Sequence, residues 1–345
     1  MAAGSAALEA PTVQIRDATQ WAALLHLRHR PLLVHLNGDS TWLIQLPRPA
    51  GEETSTRDGT GTSQTSPPRS HFNILVDPWL NGPQSDVASW FSSQWHVVAP
   101  AVATIDDLQA ALGQVEDGGR VDAVAISHEF TDHCHQATLE ELPRDVPVYA
   151  ADYAAKLIRG WNHFDSVITA PGLAKGNSWQ SLPGERLPSW LRIGRIVTPG
   201  NSLYYHSAFV IAFSQEGPTE EEEAEAIIYS PHGIQSKDLE GLGAASNLRT
   251  LALLHGLHDV SIFMTKQLNL GALNAMEAVY ASNAKYWVAT HDEVKTGAGL
   301  IAPLLRRTVY SFAQAVDHAE KKFDGGKDHE YCFMELASGE ATLLE

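Results

Sequence analysis

The sequence predicts an α/β fold, and three observations carry that expectation. Short runs rich in branched apolar residues, such as 121–126 and 248–254, alternate with segments whose apolar residues recur at helical spacing. Several of these runs stop abruptly in loops bearing histidine and carboxylate, which is where open α/β sheets place their sites. Hydrophobic residues make up 44% of 345 positions, enough for a full core. That length allows one large domain or two small ones; we read residues 1–345 as one.

In order along the chain, residues 17–29 place Trp21, Leu24, Leu25 and Leu27 at helical spacing and end in basic residues before Pro31, predicting a peripheral helix. Strand-like runs at 32–36 and 41–46 flank the turn-forming cluster Asn37-Gly38-Asp39-Ser40. Residues 48–70 are rich in Gly, Ser, Thr, Pro and charge without apolar period, and read as a disordered surface insertion. A strand over 72–76 runs into Asp77, which by position before Pro78 reads as an Asx-turn aspartate. Trp90, Phe91 and Trp95 form an aromatic knot that walls a pocket or belongs to the core; core is the expectation. Thr104 with Asp107 has the pattern of a helix N-terminus, leading through Leu108 and Leu112 to the strand at 121–126.

Beyond that strand, the pattern predicts a helix over 137–142, a strand over 146–150 and a helix over 152–159, an α/β rhythm. Residues 190–197 and 208–213 alternate like half-buried strands around Thr198-Pro199-Gly200-Asn201. Residues 215–225 are acidic and read as a solvated loop, after which a strand over 226–229 enters Ser230-Pro231-His232-Gly233. The strand at 248–254 ends near His255 and His258, for which core or surface positions are expected rather than a place in a site. A helix over 268–281, a strand over 286–289 ending in Thr290-His291-Asp292, an amphipathic helix over 301–323 and a strand over 331–336 complete the chain.

Charge and cysteine content narrow the function classes. A formal charge of −17, with no Lys/Arg run longer than two, argues against nucleic acid as a partner, since phosphate backbones are bound by clustered cations. Two cysteines, Cys134 and Cys332, exclude a disulfide framework and suit a reducing compartment. The N-terminus lacks a basic start and an apolar stretch, and no window is long enough to span a bilayer. The expectation is a soluble cytoplasmic protein acting on a small molecule, with no membrane partner and its oligomeric state left open.

The densest chemistry follows the strand at 121–126, where His128, Glu129, Asp132, His133, Cys134 and His135 crowd one loop. Imidazole and carboxylate are ligands that zinc and iron accept, and a turn can bring Asp132 and His133 to one ion; the alternative is a loop of hydrogen-bonded histidines. The run from His128 to His133 resembles the H-x-H-x-D-H motif of the metallo-β-lactamase superfamily, with Phe130 in place of the second histidine. The hairpin around Asp39 resembles the opening of the ascorbate-phosphate lactonase-like branch, where a G-H-[ST] turn is usual and Asp39 replaces the histidine. Asp77-Pro78-Trp79 is similar to that branch's D-P-W element. Thr198-Pro199-Gly200-Asn201 resembles T-P-G-H with Asn201 for the ligand histidine, and His232 stands where a bridging aspartate is usual. Asp132-His133-Cys134-His135 with Pro231-His232 is similar to a divergent lactonase-like branch.

The resemblance implies a four-layer αββα sandwich and a metal-dependent hydrolase whose first set of histidines has lost two members, at Phe130 and Asn201. What it leaves is a single divalent ion on Asp132, His133, His232 and His291, zinc being expected and iron or manganese the alternatives. Asp132 would also serve catalysis, with His128 and His135 as supporting groups or proton shuttles, and Asp77 would orient a ligand histidine. Two function classes follow. One is a mononuclear hydrolase of a small anionic ester, lactone or phosphoester; the other is a non-catalytic member that uses the fold to bind a ligand or partner.

Overall fold

The computed structural model describes residues 10–50, 69–197, 205–215, 223–242, 247–262, 266–323 and 329–345. The Thr198-Pro199-Gly200-Asn201 tetrapeptide, residues 51–68 of the expected insertion and residues 216–222 of the acidic stretch lie outside these. Along the first half the elements are β1 (Thr12–Gln14), α1 (Ala18–Leu25), β2 (Leu32–His35), β3 (Trp42–Pro47), β4 (His71–Val76), β5 (Gln84–Asp86), β6 (Ser92–Trp95), α2 (Ile105–Val115), β7 (Ala123–Ile126), α3 (Gln136–Leu139), β8 (Val148–Ala150), α4 (Asp152–Trp161) and β9 (Val167–Thr169). The second half adds β10 (Leu191–Val197), β11 (Ser207–Phe213), β12 (Ala224–Ser230), α5 (Ser236–Leu239), β13 (Leu248–His255), β14 (Asp259–Ile262), β15 (Lys266–Asn269), α6 (Ala272–Ser282), β16 (Tyr286–Val288), β17 (Thr296–Ala298), β18 (Leu305–Thr308), α7 (Phe312–Lys322), β19 (Cys332–Met334) and β20 (Glu340–Leu343).

Two large mixed sheets organise these elements. One runs β1-β20-β2-β3-β4-β7-β8-β9, the other β10-β11-β12-β13-β16-β19. Successive side chains on a strand face opposite ways, so a strand covered on both sides must be apolar throughout. That is the pattern seen: Leu32, Val34, Leu43 and Leu75 pack towards α1, α2 and α4, whereas Leu33, Trp42, Ile44 and Ile74 face the other sheet. The second sheet repeats the arrangement, with Phe209, Ile211 and Tyr229 facing inwards and Val210, Ala226 and Ile228 meeting α5, α6 and α7. Three buried clusters thus fill the three spaces of a helix, sheet, sheet, helix stack, the αββα order the resemblance implies.

Local signals account for the helix starts. Asp17 accepts a hydrogen bond from the Gln20 amide, and Thr104 with Asp107 closes a capping box on α2, as its sequence pattern predicts. The parallel pairs β4–β7, β12–β13 and β13–β16 then deliver several carboxyl ends, and the loops after them, to one edge of the sandwich.

Several expectations need correction. Residues 301–323 are not one helix: Pro303 sits in a 3-10 turn, residues 305–308 pair with β14, and a Ser311–Gln314 capping box starts α7. The helix expected from 268 begins at Ala272, because Leu268 lies in β15, part of a small sheet ordered β15-β14-β18. Glu225 belongs to β12, where it is buried against Arg30 and Arg249 rather than solvated in a loop. Trp90 and Trp95 are 66% and 39% exposed, so the aromatic knot is not core. At the insertion's ends, the Arg48 amide donates to Ser70 O at 2.8 Å and Arg69 pairs with Asp122, so both ends belong to the β3–β4 framework.

Candidate metal centre

The loop after β7 carries His133 into the edge where the two sheets meet. Its Nδ1 lies 2.7 Å from Asp77 Oδ2, just after β4, so that in its neutral form the ring keeps its hydrogen on Nδ1 and a lone pair on Nε2. Asp77 is held in turn: Oδ1 accepts from the Ser127 amide at 2.7 Å, and Oδ2 accepts from the Tyr229 hydroxyl at 2.8 Å. Asp77 therefore supports the loop rather than closing an Asx-turn. Its φ is +43° and that of His291 is +59°; both are left-handed values that cost a non-glycine residue about 1–3 kcal/mol and recur where a site dictates the backbone.

His291 follows β16. Its amide donates to Asp39 O at 2.8 Å, and its Nδ1 lies 3.1 Å from both carboxylate oxygens of Asp39, which turns Nε2 towards the cavity. His232, after β12, brings its Nε2 to 3.1 Å from His133 Nε2. The Nδ1 of His232 is buried and finds no hydrogen-bond partner among the described residues.

A ligand atom from each of His133, His232 and His291 lies within 4.8 Å of the others, and all three residues are buried. Asp132 closes the group, with Oδ1 3.7 Å from His133 Nε2 and Oδ2 3.8 Å from His291 Nε2. Those spacings are too long for hydrogen bonds and suit donors sharing one small ion, whose ligand bonds run about 2.0–2.2 Å.

The donor set fits such an ion. Two of the imidazoles have a carboxylate on the nitrogen facing away from the cluster, the arrangement that orients ligand histidines. Charge points the same way. With neutral histidines, Asp39, Asp77 and Asp132 bring three negative charges into contact with the cluster, and Lys295 supplies one ammonium, 2.6 Å from Asp39 Oδ2 and 2.9 Å from Asp132 Oδ2. Two buried negative charges remain, the quantity a divalent cation balances.

Proton affinities follow the same geometry. Burial alone would raise Asp132, but Lys295 and His133 outweigh it and hold the carboxyl well below its usual range. Burial drives His232 and His128 far below the ordinary histidine value, with neighbouring imidazoles adding to it, so both stay neutral. Burial would also lower His133, yet Asp132 and Asp77 bring it above its ordinary value.

The structure thus gathers Asp132, His133, His232 and His291. His128 packs against that group, its ring tilted on that of His232 with centroids 4.2 Å apart. His135 does not join it: its Nδ1 is 2.9 Å from Thr138 Oγ1 and its ring faces Trp79, because it occupies the N-cap of α3 and turns away from the cluster. His255 is buried against Asn274, and His258 Nδ1 accepts from Arg307, in line with their expected lesser roles.

Asp39 and Lys295 are functional candidates the sequence reading missed. The Asp39 signal was present, since it stands at the turn position a histidine usually holds. Lys295 carries no motif; its place depends on the loop between β16 and β17.

A pocket of about 280 Å³ opens onto His232, His291, Asp132 and Lys295. Phe130 and Tyr205 wall it on one side, Val260, Ile262, Leu268 and Leu305 of the small sheet on another, and Lys266 and Arg307 add positive charge. Phe130 thus provides an apolar wall where the resembled motif has a ligand.

No family model matches the chain, and no curated protein does. Solved structures match its fold. An isothiocyanate hydrolase from Delia radicum gut bacteria is 17% identical with a TM-score of 0.52, over 91% of this chain and 99% of that one. A possible metal-dependent hydrolase from Veillonella parvula is 13% identical with a TM-score of 0.52, over 91% of this chain and 100% of that one. The diiron β-hydroxylase CmlA from Streptomyces venezuelae is 13% identical with a TM-score of 0.50, over 92% of this chain and 54% of that one. With two facing mixed sheets between helical layers and a histidine-rich edge, this chain has the αββα fold of the metallo-β-lactamase type.

Proposed function

We propose that this chain is a metal-dependent hydrolase of a small anionic ester, lactone or phosphoester. A single divalent ion would be held by His133, His232 and His291, with Asp132 as fourth donor. The observation that carries the reading is the convergence of three buried imidazoles, of which His232 and His291 line a pocket, while His133 and His291 are oriented by Asp77 and Asp39. Zinc suits an N₃O donor set, as do ferrous iron and manganese. Such an ion, when bound, supplies Lewis acidity towards water and towards a carbonyl or phosphoryl oxygen.

The chain's own residues supply the rest. Lys266 and Arg307 offer charge to an anionic group, and the apolar walls exclude water around the reacting bond. Asp132 is kept ionised beside the cluster, able to orient a bound water or substrate hydrogen. The similarity of Asp77-Pro78-Trp79 to the lactonase-like branch supports lactones and phosphoesters as the first substrates to try.

Elemental analysis of protein purified without chelator, followed by hydrolysis assays on a panel of anionic lactones, esters and phosphoesters, tests the proposal. It expects one ion per chain and turnover that ceases on metal removal. Metal-free protein that binds panel members without turning them over would instead establish the non-catalytic reading.

A further inference from the structure

We infer that the Lys295 ammonium is a built-in cation, seated between the carboxylates of Asp39 and Asp132 where a second divalent ion would otherwise lie, with His291 reaching that ion only as a bridge through Nδ1. Those three residues form a second buried group with a ligand atom from each within 4.8 Å of the others. Lys295 Nζ lies on it, 2.6 Å from Asp39 Oδ2 and 2.9 Å from Asp132 Oδ2, while His291 Nδ1 sits 3.1 Å from the Asp39 oxygens. Asp39 is fully buried and the Lys295 side chain only 5% exposed, so neither carboxylate draws its counter-charge from bulk water.

The fold places this amine deliberately. Lys295 directly precedes β17, whose pairing with β6 holds its backbone, and its Nζ lies 5.4 Å from the centroid of the Trp79 ring. An ammonium has three N–H donors, and the two carboxylates take two. Because Lys295 also lines the pocket, the third can meet a substrate oxygen. A fixed positive charge of this kind does at the second position what an ion would do electrostatically, independently of metal supply.

The inference builds on the reading of His133, His232 and His291 as a one-ion set, and the test separates the two. Metal-stripped parent, Lys295→Met and Asp39→Asn/Lys295→Met proteins are titrated with Mn²⁺, with free ion followed by electron paramagnetic resonance. The parent's absolute stoichiometry judges the one-ion reading; the difference between variant and parent judges this one. Lys295→Met is expected to bind one ion more than the parent, and the double variant, lacking one of the paired carboxylates, to show no gain.

Equal stoichiometry in Lys295→Met and parent overturns the inference. Two buried carboxylates left without a counter-charge can unfold the single variant, so its melting temperature is also followed against Mn²⁺ concentration. A melting temperature that climbs with Mn²⁺ in Lys295→Met beyond any rise in the double variant supports the inference. A single variant that stays unfolded at every Mn²⁺ concentration, while the double variant folds, overturns it.

Discussion

The Trp42 indole N–H donates to the Thr290 hydroxyl at 2.8 Å, tying the first sheet to the carboxyl end of β16 in the second. Thr290 passes its own hydrogen to Asp39 O at 3.2 Å, and the His291 amide donates to the same oxygen at 2.8 Å. One chain of bonds therefore links inter-sheet packing to the seat of a candidate ligand. Trp42 is also fully buried and stacks on His35 with ring centroids 3.9 Å apart.

Trp42→Phe should keep most of the packing and lose the indole donor. The expected cost is about 1–3 kcal/mol, from a broken buried hydrogen bond and a small void. Urea unfolding measures it. A variant as stable as the parent would show that the link to Thr290 contributes nothing.

Asp77 accepts from His133, Ser127 and Tyr229. In Asp77→Asn one of those contacts faces an amide N–H, and the hydrogen on His133 is released from Nδ1. Losing such an orienting carboxylate typically weakens metal affinity about 10- to 100-fold. Competition against a chromophoric chelator reads this directly, and unchanged affinity would argue that His133 is not a ligand.

Glu116, at the C-cap of α2, receives hydrogen bonds from the Ser70 amide and hydroxyl and lies 3.6 Å from His71 Nδ1. Burial by itself raises its carboxyl, but His71 and Ser70 outweigh burial and bring it down from 4.5 to about 2. A depressed acid adds stability that is complete above its unfolded value and is lost as pH falls through the folded one. The gap in urea midpoint between parent and Glu116→Gln should therefore be full at neutral pH and close between about 4.5 and about 2. A gap that does not vary with pH would contradict this.

Lys266 Nζ lies 3.3 Å from the Tyr205 hydroxyl, and Arg307 Nη1 donates to His258 at 2.9 Å, so both cations are positioned on the pocket wall. If they receive the substrate's anionic group, Lys266→Ala and Arg307→Ala should raise KM for anionic substrates with kcat little changed, by about tenfold each. Neutral analogues provide the comparison. Equal effects on charged and neutral substrates would assign the two residues to the wall alone.

How much of this was legible in the sequence depends on how local each signal was. The capping box at Thr104 and Asp107, and the hairpin around Asn37-Gly38, are written in neighbouring residues and appear as expected. The gathering of His133, His232 and His291 could be anticipated because each follows a predicted strand, and strand ends meet at one edge. The small sheet β15-β14-β18 was hidden: its apolar residues fall at spacings that also fit a helix, and only pairing across distant segments makes it a sheet. The Asp39–Lys295 pair was hidden for the same reason, since no local pattern marks a lysine whose partners come from other loops.

The sharpest test concerns the ligands themselves. Phe130 offers no lone pair and walls the pocket, and Asn201, which lies outside the described residues, carries only an amide at the position of a lost imidazole. His133 by contrast presents Nε2 to His232 and Asp132 with its other nitrogen held by Asp77. Removing it takes one donor of four, and a three-donor remnant with a displaced Asp77 binds too weakly to fill. His133→Ala should therefore lose its ion by elemental analysis, whereas Asn201→Ala should retain the parental content. Two ions in the parent would require Lys295 to leave its seat between Asp39 and Asp132 or a ligand set elsewhere, yet His135 is turned to Thr138, His255 to Asn274 and His258 to Arg307. Such a result would defeat the one-ion reading outright, and equal, near-zero metal in parent and both variants would mark the cluster as a hydrogen-bonded relic.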